Sequence, residues 1–300
     1  MAIESPFPLT GSRRTRSPES AADLVVEWQP EAHWSEGYWR LILPFTPPAG
    51  PAIADAADGS ALISWPGHLE FVISPRRDHI LILSGEAKLA VAPVVLVGLV
   101  LGYLLHLRGV LCLHGSVLAR NGRAIGILGD SGAGKSTVAT ALIRNGATLV
   151  SDDLLAVSAS EAGVCAEYGG AAVRLELATA KQLLERDATL VRMPRGNKLF
   201  WEVPSPGGVV ATDPTPIPLS ALYVLKPCTT AGGATIDSPS SSAQALQMLT
   251  AAWYPPGLLR LLTRERLEQL QKLAAKLPVS AIHYEKDWAS LPNLVEILNR

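Results

Sequence analysis

Apolar residues recur along this chain in two rhythms, and the change from one to the other divides it. From residue 21 to about residue 88 the apolar runs are short. LEFVIS (69–74) and HILILSG (79–85) are bounded by Pro-Gly, Pro-Arg and Gly-Glu breaks, the punctuation of strands and turns. Trp28, Trp34, Trp39 and Trp65 are expected to supply large buried surfaces to a small β-rich unit. From residue 89 onward long apolar helices alternate with single strands. AIGIL (124–128) reads as a buried strand, STVATALIRNG (136–146) as a helix ended by Gly146, and ATLVS (147–151) as the next strand. That order predicts a βαβ unit and a mainly parallel sheet. LSALYVLKP (219–227) reads as a central strand, and RERLEQLQKLAAKL (264–277) as a helix with Leu267, Leu270, Leu273 and Leu277 on one face. VSAIHYE (279–285) follows as a strand and LPNLVEILN (291–299) as a helix. The Pro- and Gly-rich stretches 204–218 and 227–242 read as long loops, which in a compact domain are functional or mobile. The expected organisation is a tail over 1–20, a small β-rich domain over 21–88 and an α/β domain over 89–300.

Composition narrows the class. Of the 300 residues 48% are hydrophobic and 18% charged, enough for a sizeable core and against bulk disorder. A net charge of −1, with no Lys/Arg-rich run, argues against general nucleic-acid binding, which needs a clustered positive face. Cys112, Cys165 and Cys228 lie far apart and form no CxxC pair, which fits a reducing, cytoplasmic setting better than a zinc site or a disulfide framework. The first twenty residues have no apolar h-region. LAVAPVVLVGLVLGYLL (89–105) is at the short limit for a membrane span and contains Pro93, Gly98 and Gly102, so a buried helix is expected and no membrane partner.

Candidate chemistry begins at Gly129-Asp130-Ser131-Gly132-Ala133-Gly134-Lys135-Ser136, which fits G-x-x-x-x-G-K-[ST] completely, with Thr137 next in the helix. Glycines let the backbone turn tightly, so that successive N–H groups can point inward at anionic oxygens. The helix that starts at the motif adds its positive end to the same field. Lys135 can reach the β- and γ-phosphates of a nucleotide, and Ser136 offers a hydroxyl to Mg²⁺. The motif follows an expected strand and opens an expected helix, the context that distinguishes a phosphate cradle from a chance match.

Asp152 and Asp153 come directly after the strand ATLVS, at its carboxyl end, where ligands sit in open α/β sheets. One acid can bind Mg²⁺ while the other accepts the proton of an attacking hydroxyl; sequence does not say which does which. His114, in LCLHGSVLARNG, is set apart from the other five histidines by the Gly115-Ser116 that follows and by its place 21 residues before Lys135.

His-Gly at 114–115, GDSGAGKS at 129–136 and the acid pair at 152–153 together resemble the HPr kinase/phosphorylase superfamily, over about residues 95–300. The layout is similar to the compact HPr-kinase-like proteins, some of which are encoded with lasso-peptide biosynthesis genes and phosphorylate the precursor's C-terminal serine. The resemblance implies a P-loop kinase domain behind a β-rich leader, ATP (or another NTP) and Mg²⁺ as cofactors, and a peptide or small-protein acceptor. It also implies that Asp152 or Asp153 is the general base, that the other assists the metal with Ser136, and that His114 lies beside the transferred phosphoryl group. Such enzymes are often oligomeric, so a homo-oligomer is an open expectation. Where the bifunctional HPr enzymes carry Glu-x-Arg-Gly, this chain reads AVRLELATA (172–180). Glu176, and after it Glu167, are the nearest acids there, and a reverse phosphorylase reaction is not implied. Positive charge over a transferring phosphate would come from Arg174, Arg192, Arg195 or Lys198.

Two other classes stay open. A nucleotide-hydrolysing switch or ATPase subunit would share the cradle, although no LSGGQ follows it and no NKxD appears downstream. A small-molecule kinase would share it too, usually without the N-terminal domain.

Overall fold

Runs rich in Ile and Leu between short turns make one sheet of the first part of the chain. In the computed structural model the described residues are 3–5, 22–30, 38–44, 51–66, 68–86, 92–160, 163–170, 172–192, 198–204, 215–229, 233–254 and 262–299. The chain is a mixed α/β structure of several sheets and divides into two units, Met1–Arg108 and Gly109–Arg300.

In the first unit the described strands are β1 (Ile3–Glu4), β2 (Leu24–Trp28), β3 (Trp39–Leu43), β4 (Ala52–Ala56), β5 (Ala61–Trp65), β6 (Leu69–Ile73) and β7 (His79–Leu83). They pair in the order β1-β2-β7-β6-β5-β4-β3. The β4–β5 turn is closed by Asp58, whose Oδ1 accepts from the Ser60 N–H at 2.8 Å, beside Gly59 at φ 88°. Ile53, Ile63, Phe71, Ile73, Ile80 and Ile82 are completely buried. The expected tryptophan core is not what forms. Trp28, Trp39 and Trp65 are only half-buried, and Trp34 lies outside the described residues. Alternating β-branched side chains fill the sheet face, and the indoles are left at strand ends.

The apolar run at 89–105 is helical where it is described, but in three pieces. α1 (Ala92–Val95) passes through a π turn (Leu96–Val100), in which Gly98 has ψ −106°, into α2 (Leu101–Leu107). Leu96, Val100, Tyr103 and Leu104 are buried. Among the described residues no helix is long and apolar enough to cross a membrane. This helical segment belongs to the first unit, so the division falls after Arg108 and not at residue 88.

The second unit holds β8 (Leu111–Leu113), β9 (Gly115–Arg120), β10 (Arg123–Gly129), α3 (Lys135–Arg144), β11 (Thr148–Ser151), β12 (Leu155–Ser160), β13 (Gly163–Ala166) and β14 (Ala172–Glu176). After them come α4 (Leu177–Leu183), β15 (Leu190–Arg192), β16 (Lys198–Glu202), β17 (Ile217–Cys228) and β18 (Thr235–Asp237). The last elements are α5 (Ser242–Ala251), α6 (Arg264–Lys276), β19 (Val279–Glu285) and α7 (Leu291–Asn299). The main sheet runs β11-β9-β10-β17-β13-β12-β8, and β19 joins the far part of β17 and carries β18. One apolar cluster packs α3 and α7 on Leu118, Ile127 and Ile282; the other packs α5 and α6 on Val117, Leu128 and Leu222.

Three expectations are corrected here. The sheet is not mainly parallel: among the described residues of this unit only β10 with β17 and β17 with β19 pair in parallel, while β9, β11, β12, β13 and β18 pair antiparallel. The cause is a hairpin, β9 and β10 joined at Asn121-Gly122, both with positive φ (52° and 75°), which is the mark of a tight hairpin turn. Its first strand inserts between β10 and β11, so the two strands of the expected βαβ unit do not touch. The stretch 227–242 is not a plain loop either, because β17 extends to Cys228 and β18 pairs with β19. In α6 the face holds for Leu270 and Leu273, while Leu267 is exposed.

The inserted strand has a consequence for the site. Because β9 runs antiparallel to both neighbours, it begins where they end. Gly115 pairs with Leu128 and Ser116 with Ile127, while Val117 pairs with Ser151. The carboxyl ends of β10 and β11 and the start of β9 therefore share one edge of the sheet, with β10 and β11 about 10 Å apart at normal strand spacing.

Candidate active site

At the end of β10 the chain enters the glycine turn. Gly129, Gly132 and Gly134 all have positive φ, at 144°, 80° and 91°, a region that side chains rarely enter. Gly134 is left-handed and stands at the head of α3. The Val138 N–H closes the first helical bond onto the Gly134 carbonyl at 2.9 Å, so the amides of Lys135, Ser136 and Thr137 precede the ladder with no helical carbonyl to bind. Lys135 is 9% exposed, and its Nζ donates to the carbonyls of Gly129 (2.7 Å) and Asp130 (3.1 Å). Its ammonium is held at the turn by main-chain oxygen. Thr137 and Thr179 share a hydrogen bond of 3.2 Å between their hydroxyls, tying α3 to α4.

Two strands away, at the end of β11, Asp152 and Asp153 are neighbours that would face opposite sides if the strand continued. It does not continue. Asp153 has φ 72°, and the turn brings both carboxylates to one corner. Ser116 Oγ donates to Asp152 Oδ1 at 2.5 Å and the Arg174 N–H to Asp152 Oδ2 at 2.9 Å. The Arg174 guanidinium meets Asp153 Oδ2 at 3.2 Å, and His114 Nδ1 lies 3.3 Å from Asp153 Oδ1 and 3.0 Å from the Asp153 carbonyl. Both of these His114 partners are acceptors, so Nδ1 carries the proton and the neutral ring keeps its lone pair on Nε2. The Arg174 guanidinium also lies 5.5 Å from the centre of the Phe200 ring, its opposite residue in the β14–β16 ladder. Tyr254 sits beside His114, ring centres 6.0 Å apart.

The electrostatics follow from burial. Desolvation raises the Asp152 carboxyl above its ordinary range, although the Ser116 and Arg174 hydrogen bonds oppose it. Burial lowers the His114 imidazole, with the Asp153 charge pulling the other way. The Lys135 ammonium is also lowered by burial, against the opposing pull first of Asp153 and then of Asp152. The two acids and the cradle lysine therefore sit within range of each other's charge.

The structure brings together Asp152, Asp153, His114 and Arg174, with Lys135 in electrostatic reach. It does not bring Glu176 among the groups that meet the acids; Glu176 is exposed and stands opposite Lys198 in the β14–β16 ladder. Glu167 is placed by its own N–H, which bonds the Ala156 carbonyl at 2.9 Å. Lys198 is exposed, yet its charge is felt at Lys135. Arg192 lies on β15 opposite Leu199; its side chain, like Arg195, lies outside the described residues. Among the described residues no three His, Cys, Asp or Glu side chains cluster at metal-binding spacing.

Sequence reading missed Ser116 and Tyr254 as site residues. Ser116 was within reach of the Asn-Gly hairpin signal, which fixes where β9 begins. Tyr254 carries no local signal: it arrives through main-chain bonds of 112–114 to 252–254, among them His114 N–H to the Ala252 carbonyl at 2.7 Å.

No protein-family model matches the chain, and no curated protein matches it. Among solved structures it is similar to the HPr(Ser) kinase/phosphatase from Coxiella burnetii, at 13% identity and a TM-score of 0.32, over 63% of this chain and 93% of that one. At that overlap the likeness is too slight to support a function.

Proposed function

We propose that this chain is an ATP-dependent kinase that transfers the γ-phosphate to a serine-type hydroxyl of a peptide or small protein. The C-terminal serine of a lasso-peptide precursor is the acceptor suggested by the motif resemblance. The observation that carries the reading is the shared edge: a glycine turn with its lysine and a hydrogen-bonded acid pair stand at the ends of parallel-pointing strands, close enough for Lys135 to feel both carboxylates.

In this reading the amides of 134–137 and the Lys135 ammonium hold the phosphates of ATP. Asp152 is the general base: its raised pKa moves it toward neutral pH, where a base is most effective. It takes the proton from the acceptor hydroxyl as that oxygen bonds to the γ-phosphorus, while the bond from phosphorus to the β–γ bridging oxygen breaks and ADP leaves. Arg174 offers its guanidinium to the charge that develops on the phosphoryl oxygens, and Ser116 holds Asp152 in place. His114 holds Asp153 through Nδ1. For Mg²⁺ the donor set fits: the Ser136 hydroxyl and the Asp153 carboxylate are hard oxygens beside a phosphate cradle, and such sites take few protein ligands. When bound, the ion would neutralise charge on the β- and γ-phosphate oxygens.

The test is transfer of label from γ-labelled ATP. Label on a hydroxyl of a serine-terminated peptide supports the kinase. Release of free phosphate alone, with no acceptor labelled, supports the switch or ATPase reading and removes this one.

A further inference from the structure

Tyr284 lies on β19, 150 residues along the chain from the cradle, yet it touches it. The side chain is 4% exposed and packs in one apolar cluster with Ala133, Ile282 and Leu294. Its hydroxyl donates to the Ala133 carbonyl. Burial raises the phenol to about 12, so it remains a donor throughout the working range. The next residue records the same closeness from the other side: a Cβ built on Gly134 would lie 2.7 Å from Tyr284 Oη. Gly134 is thus required twice, by its φ of 91° and by the tyrosine.

A trans peptide is planar, and its C=O and N–H point in opposite directions. Drawing the Ala133 carbonyl toward Tyr284 therefore turns the Gly134 N–H to the opposite side of the turn. We propose that Tyr284 is a positioning residue that holds the 133–134 peptide so that the Gly134 amide faces the phosphates of a nucleoside di- or triphosphate. Without the hydroxyl that peptide is free to flip, and a flipped peptide presents a carbonyl to an anion. The Ala133 N–H is already committed to the Asp130 carbonyl at 3.0 Å, so the Gly134 amide is worth fixing. Tyr284 has nothing to serve if 129–136 is not a phosphate cradle, and the experiment keeps the two failures apart.

Calorimetry on the full chain with ATP, ADP and AMP compares the wild type with Tyr284→Phe and with Ile282→Val. The second variant trims the same strand in the same cluster and controls for lost packing. Expected is a five- to tenfold weaker affinity for ATP and ADP in Tyr284→Phe, the size of one lost hydrogen bond (about 1 kcal/mol). AMP binding and the Ile282→Val affinities stay at wild-type values. Unchanged ATP affinity in Tyr284→Phe, or an equal loss in both variants, overturns the role of Tyr284 and leaves the cradle standing. A wild type that binds neither ATP nor GTP removes the cradle and this proposal together. The wild type supplies a further readout by NMR: ATP should shift the Gly134 amide resonance strongly, and an unmoved resonance overturns the proposal even if the phenylalanine variant does not fold.

Discussion

The glycine turn at 129–136 and the acid corner formed by His114, Ser116, Asp152, Asp153 and Arg174 share one sheet edge but are made of different material. The turn is a run of eight residues that offers main-chain amides, and its glycines are needed for the space and the φ values they permit. The corner offers side chains drawn from the start of β9, the end of β11 and the middle of β14. A backbone site is damaged by atoms added. A side-chain site is damaged by atoms removed. The two halves should therefore fail in different ways: damage to the turn should cost binding, whereas damage to the corner should cost transfer with binding kept.

The sharpest test of that contrast is Asp152→Asn. Losing a general base is expected to lower transfer by roughly 10²–10⁴-fold with ATP still bound, as single-turnover labelling and calorimetry would read. If Asp152→Asn and Asp153→Asn both turn over at the wild-type rate, the corner has no acid–base role. Lys135→Ala comes next, with transfer down by roughly 10²–10³-fold and ATP weakened as well, while the melting temperature shows the fold intact. Normal turnover in that variant would falsify the cradle's part in catalysis.

Ser116→Ala acts on the corner alone and more gently. It removes the 2.5 Å hydrogen bond that holds the Asp152 anion, so the carboxyl rises further and the acid limb of the pH–rate profile moves to higher pH. The loss at neutral pH should be about tenfold, the size of one hydrogen bond to a charged group. An acid limb that stays in place would mean that another group sets it.

The smallest effect is on stability, and it runs opposite to activity. Burial raises the Asp152 carboxyl in the folded state. Its stabilising contribution is complete below the ordinary carboxylate range and is lost as pH rises through the raised folded value. Asp152→Asn removes that loss, so this variant should melt higher than the wild type at neutral pH, the gain vanishing in acid. A variant that melts lower at neutral pH would show that the Ser116 and Arg174 bonds outweigh desolvation.

How much of this could be read from the chain differs between the halves. The strands at 69–73, 79–83, 123–129 and 279–285 and the helices at 264–276 and 291–299 are announced by local period and punctuation. Hidden from that reading were α5, a helix capped locally by Ser241, and two features that depend on pairing between distant segments, the three-stranded sheet β14-β16-β15 and the insertion of β9. Arg174 was one of four basic candidates with nothing in sequence to choose among them. Among the described residues its own N–H and guanidinium reach the two acids, because β14 passes the end of β11. Glu176, two residues on, points from the same strand without joining them.

By itself the sequence determined the glycine turn, since the required φ values and the amide spacing belong to eight neighbouring residues and local geometry is enough to specify them. It also determined that two carboxylates follow a strand. Tertiary structure alone decided that the strand bearing them lies two strands away from the cradle and points the same way, and that Ser116, His114 and Arg174 reach them. It alone decided, too, that a tyrosine from β19 steadies the turn. The physical reason is range: a backbone conformation is set by its own residues, whereas the energy and position of a buried charge are set by whatever the fold packs around it.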